Sequence, residues 1–105
     1  MRLSEIYKST VPTLSFEVFP PKKEGVPLEE VMDVIGDFKK YSPDFISVTY
    51  GAGGSSRTNT VEIASRLRRE GVETMAHLTC VGQTRREVER IMADLKSNGI
   101  HNILA

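Results

Sequence analysis

Apolar and polar positions alternate along this chain in short runs, and stretches with helical spacing separate them. Leu14-Ser15-Phe16-Glu17-Val18-Phe19 alternates as a strand does, with Leu14, Phe16 and Val18 on one side and Ser15, Glu17 and Phe19 on the other. Pro20 and Pro21 cannot donate to a ladder, so pairing ends there. Val31, Val34, Ile35 and Phe38 then recur at helical spacing within residues 27–40, where Pro27 suits a first turn. Phe45-Ile46-Ser47-Val48-Thr49-Tyr50, rich in β-branched and aromatic residues, predicts a second strand. After a glycine-rich loop over residues 51–58, a second helix opens at Asn59 with Glu62 in the capping-box position. It continues through Ile63, Ala64 and Leu67 and stops near Gly71. Residues 73–79 form the third strand. Thr84 and Glu87 open a third helix with the same capping device, Val88, Ile91, Met92 and Leu95 form its apolar stripe, and Gly99 stops it. Residues 100–105 begin a fourth strand.

A strand followed each time by a helix and another strand predicts an α/β fold with parallel strands, either an open doubly wound sheet or part of a (β/α)8 TIM barrel. Two features favour the barrel. Polar residues gather on one strand face: Ser15 and Glu17, Ser47 and Thr49, His77 and Thr79. In a barrel that face turns inward toward the mouth, whereas open sheets bury both faces under apolar helices. The first strand-to-helix turn also lacks the Gly-x-Gly-x-x-Gly dinucleotide fingerprint. A whole barrel needs about 250 residues. The expectation is therefore a single segment over residues 1–105, the amino-terminal half of a barrel with about three and a half βα units and no second domain. A longer protein supplies the remainder, or copies complete one another as a homo-oligomer; the first is favoured.

Composition narrows the partners. The 105 residues are 39% hydrophobic, and 14 basic side chains balance 14 acidic ones, which supports neither a nucleic-acid nor a membrane-surface role. No apolar run is long enough to span a bilayer, and the start is unlike a signal peptide. The single cysteine, Cys80, excludes an internal disulfide and reads as a small buried hydrophobe. A cytoplasmic location is expected. Two histidines and one cysteine without zinc spacing argue against a metal.

Glu17 is the first candidate for chemistry. A carboxyl near the carboxyl end of a buried strand is costly to ionise, which makes it a candidate proton donor. The alternative is a solvated edge glutamate, or one paired with Lys22 or Lys23. The loop Tyr50-Gly51-Ala52-Gly53-Gly54-Ser55 lets backbone amides approach a flat or anionic ligand, or is simply a flexible connection. His77 near a strand end is a ligand contact or a packed core histidine.

Taken together and in order, Phe16-Glu17-Val18-Phe19-Pro20-Pro21, Val48-Thr49-Tyr50-Gly51-Ala52-Gly53-Gly54-Ser55 and Met75-Ala76-His77-Leu78-Thr79-Cys80 closely resemble the methylenetetrahydrofolate reductase family. The resemblance runs from about Leu14 to Ala105 and covers the first part of that family's catalytic barrel. It implies a flavoprotein of one-carbon and methionine metabolism. Such an enzyme binds FAD in the barrel mouth, reduces it with NADH or NADPH, and passes hydride to 5,10-methylenetetrahydrofolate to give 5-methyltetrahydrofolate. By the same resemblance Glu17 is the catalytic general acid, Thr49 lies beside flavin and nicotinamide, and Tyr50, Ala52 and His77 contact the flavin. The fourth strand would lead into an Arg-Gly-Asp segment beyond Ala105, and the 105-residue chain by itself would be inactive. Two other readings stand beside this one: a non-catalytic half-barrel that serves as a binding or assembly module, and a different barrel enzyme of pterin or one-carbon chemistry.

Overall fold

Each apolar run becomes a strand because its β-branched and aromatic residues fit a pleated surface that a helix can cover. The computed structural model describes residues 1–21, 25–50 and 57–105. The elements are α1 (Leu3–Ile6), β1 (Ser15–Val18), α2 (Glu29–Lys39), β2 (Phe45–Val48), α3 (Arg57–Arg69), β3 (Thr74–His77), α4 (Arg85–Ser97) and β4 (Asn102–Leu104). The strands form one sheet in the order β1-β2-β3-β4, and every neighbouring pair is parallel. Sequential order with a helix between successive strands is the arrangement of a partial (β/α)8 barrel. An open doubly wound sheet reverses its strand order at a switch point.

Helices α2, α3 and α4 share one face of the sheet; the short α1 lies at the lower end of the other face, which among the described residues carries no helix toward its carboxyl end. Val18, Ile46, Val48 and Ala76 from the strands pack with Ile35 of α2, with Ile63, Ala64 and Leu67 of α3, and with Leu95 of α4. Phe16 joins this face by stacking on Phe38 at 4.3 Å between ring centroids. The opposite face carries the other alternation. Register places Glu17 beside Ser47, Ser47 beside Met75 and Met75 beside Asn102. At its lower end the edge of Tyr7 meets Phe45, centroids 6.2 Å apart.

Helix ends follow the sequence closely at three of four anticipated places. Thr84 Oγ1 accepts from the Glu87 amide at 3.2 Å, and Glu87 Oε2 accepts from the Thr84 amide at 2.8 Å, which completes a capping box for α4. Gly71 and Gly99, with φ of 82° and 76°, end α3 and α4 in the left-handed conformation. In both, the next amide returns to a carbonyl five residues back: Val72 to Leu67 at 3.1 Å and Ile100 to Leu95 at 3.0 Å. The apolar residue after each glycine thereby folds back toward the core, and the following strand begins. The exception is α3, which starts at Arg57 and so contains Asn59 in its first turn. On the outer side of α3, Arg66 binds Glu62 and Glu29, whose carboxylates hold its guanidinium above the usual arginine range.

Two expectations are corrected, and one element was not anticipated. The strands are shorter than the apolar runs, because the sheet bonds only their central residues. Cys80 is exposed: it lies beyond β3 in the turn toward α4, where no helix covers it. Helix α1 had no forecast, since four residues are too few to display a period.

Candidate functional site

Parallel strands carry their side chains in register, so polar residues at equivalent positions form a cluster at the carboxyl end of the sheet. On the helix-free face Glu17 of β1, Ser47 of β2 and His77 of β3 meet. Ser47 Oγ donates to Glu17 Oε1 at 3.4 Å, and His77 Nε2 lies 3.3 Å from the same oxygen. Ser47 is small enough for the two longer side chains to touch across it. The Glu17–His77 approach is close enough for an ion pair when the imidazole is protonated. It is not aligned as a hydrogen bond, however, and among the described residues the buried His77 Nε2 has no hydrogen-bond partner.

The expected burial of Glu17 is not found. Its side chain is 47% exposed, against 20% for His77, although it does turn to the helix-free face. The reason is topological: β1 is an edge strand, and among the described residues nothing covers its polar face. Ser47, on the central pairing line, is only 5% exposed.

The remaining predicted residues lie at different distances from this cluster. Thr49 is half-buried one residue beyond β2, its amide bonded to the Val18 carbonyl at 3.0 Å and its carbonyl accepting from Thr60 Oγ1 at 2.9 Å. Both bonds tie the end of β2 to its neighbours and fix where Thr49 stands. Tyr50 is directed elsewhere: its hydroxyl accepts from Gln83 Nε2 at 2.7 Å, and the same nitrogen donates to the Thr79 carbonyl. Ala52 and the glycine-rich loop at 51–56 lie outside the described residues, as do Lys22 and Lys23.

Three contributors were not assigned from the sequence. Ser47 was visible in the polar stripe but had no role. Thr60 and Gln83 brace Thr49 and Tyr50 from α3 and from the turn before α4, contacts that no local pattern announces. Among the described residues no group of three metal-ligating side chains occurs, and no helix is long and apolar enough to cross a membrane. Chemically, the cluster offers a half-exposed carboxyl whose Oε1 is flanked by a hydroxyl and an imidazole. Such a set can deliver or accept a proton at a ligand lying on the strand ends.

Comparison with known proteins gives a consistent result. The methylenetetrahydrofolate reductase family matches residues 2–105. Methylenetetrahydrofolate reductase (NADH) 1 of Arabidopsis thaliana is 44% identical over 93 residues, which cover 87% of this chain and 15% of the relative. The 5,10-methylenetetrahydrofolate reductases of Salmonella typhimurium and Escherichia coli are each 37% identical over 93 residues, covering 88% of this chain and 31% of the relative. The chain thus spans less than a third of the length of these relatives.

Proposed function

The chain belongs to the methylenetetrahydrofolate reductase family, and on that footing we propose that it supplies the proton-delivering part of the mouth in an enzyme that reduces 5,10-methylenetetrahydrofolate to 5-methyltetrahydrofolate, with FAD and NADH or NADPH. The observation that carries this reading is the meeting of Glu17 and His77, 3.3 Å apart, on the helix-free face at the carboxyl ends of β1 and β3. Barrel enzymes perform their chemistry at that end.

The substrate's one-carbon bridge joins two nitrogens in a five-membered ring. Opening the ring requires a proton on the departing nitrogen, and Glu17 is the acid placed to give it. The half-open mouth leaves one side of its carboxyl accessible to a ligand. His77 and Thr49 fit a flavin to the extent that, among the described residues, the buried Nε2 of His77 has no hydrogen-bond partner, which a polar ring edge would supply. We assign these two residues to holding the cofactor; the Tyr50 hydroxyl is already bonded to Gln83, so any share of Tyr50 in the site falls to its ring. The flavin, when bound, carries the electron pair from the nicotinamide to the one-carbon group, and the protein provides placement and the proton.

Replacing Glu17 by Gln in the complete enzyme removes the proton and keeps the shape. Flavin reduction by NADH or NADPH persists, while folate-dependent turnover falls by about 100- to 10,000-fold, the usual contribution of a general acid. Rapid-mixing measurement of the two half-reactions checks this. Undiminished folate turnover by the variant rules out Glu17 as the acid.

A further inference from the structure

The carboxyl of Glu17 is not symmetric in its surroundings. Among the described residues, both of its polar neighbours fall on one oxygen: Ser47 Oγ at 3.4 Å and His77 Nε2 at 3.3 Å from Oε1. Ser47 is buried, stands directly opposite Glu17 in the β1–β2 register, and points to the same face. A neutral carboxylic acid has one accepting oxygen and one oxygen that bears the proton. A hydroxyl that donates to Oε1 selects Oε1 as the acceptor.

We propose that Ser47 is a positioning residue for the Glu17 acid: its hydroxyl holds Oε1 as the accepting oxygen and leaves the transferable proton on Oε2, toward the mouth. This rests on the reading of Glu17 as the proton donor given above. In the transfer the Oε2–H bond breaks, an N–H bond forms on the departing folate nitrogen, and the electron pair of the O–H bond remains on the carboxylate. Ser47 continues to donate to that carboxylate, where a hydrogen bond is stronger than to the neutral acid. The contact is long at 3.4 Å, and catalytic hydrogen bonds commonly tighten when substrate binds.

The test uses the full-length reductase and three variants: Ser47→Ala, Glu17→Gln and the double substitution. Ser47→Ala slows the folate half-reaction about tenfold, the scale of one lost hydrogen bond to an ionising group, and slows the nicotinamide half-reaction much less. On the Glu17→Gln background it causes no further slowing, because the partner it positions is gone. In the ligand-free protein, the carbon-13 resonance of the Glu17 carboxyl moves in Ser47→Ala. A folate half-reaction at the wild-type rate, equal slowing of both half-reactions, or an unmoved carboxyl resonance overturns the inference. If Glu17→Gln is blocked while Ser47→Ala is unaffected, only the role of Ser47 falls. If Glu17→Gln reduces folate normally, the general-acid reading falls with it.

Discussion

Asn102 closes the lower end of the sheet through its side-chain amide. Its oxygen accepts from the Leu3 amide at 3.0 Å, and its nitrogen donates to the Met1 carbonyl at 3.0 Å and to Glu73 Oε1 at 3.1 Å. Glu73 in turn holds the terminal ammonium at 2.8 Å. Asn102→Ala leaves the buried Leu3 amide without its acceptor and costs about 1–3 kcal/mol, seen as a lower midpoint in denaturant titration. Asn102→Asp keeps the acceptor but sets a carboxylate against Glu73 with no donor between them, so it is expected to be no milder. This cluster was illegible in the sequence, because its members are between 29 and 101 residues apart and none belongs to a motif. Glu17 was legible in the opposite sense. Its place in an apolar strand before two prolines singled it out as a candidate, and its face was correctly inferred from alternation. Its exposure could not be, since that depends on which distant segment covers an edge strand.

At the scale of elements, local chemistry was readable wherever the chain itself supplies both partners. Thr84 and Glu87 are three residues apart and satisfy each other's amides. Removing the hydroxyl in Thr84→Ala is expected to cost about 1 kcal/mol and to lower the melting temperature by about 4–8 °C, measurable by circular dichroism. Glu87→Gln keeps an accepting oxygen for the Thr84 amide, so both sides of the box remain and it loses less. The two glycine stops were readable for a similar reason. A left-handed residue followed by an apolar one returns the chain to the helix it has just left, and Leu67–Val72 and Leu95–Ile100 do so with matching hydrogen bonds. Asn59 and Glu62 have the same spacing as Thr84 and Glu87, yet they lie inside α3, because the backbone becomes helical at Arg57. A capping pattern states where a helix can begin. It does not prevent an earlier start, and an asparagine in the first turn of a helix is inexpensive.

For the whole molecule, the decisive fact is that four strands in sequential order have helices α2, α3 and α4 on one face and a polar cluster on the other. The helix-covered face contains a continuous apolar core, so the sheet has a reason to fold. The polar face holds Glu17, Ser47 and His77 but encloses nothing: Glu17 remains 47% exposed. Cofactor sites ordinarily bury about 70–90% of the ligand surface. One sheet face contacts a flat ligand from one side and falls short of that. The two outer strands, β1 and β4, each have an edge without a strand partner among the described residues, and exposed apolar side chains lie on or next to them at Leu14, Phe19, Ile103 and Leu104. Such edges favour association with another strand over binding of a small molecule. The isolated 105-residue chain should therefore bind FAD weakly and should not transfer electrons from NADH to menadione, even when its helices and sheet are formed. Purification in the presence of FAD, followed by visible absorbance, light scattering and the menadione assay, checks this. A yellow monomer with NADH–menadione activity would mean that one face of four strands is sufficient to hold the flavin, and the requirement for an enclosing mouth would be wrong.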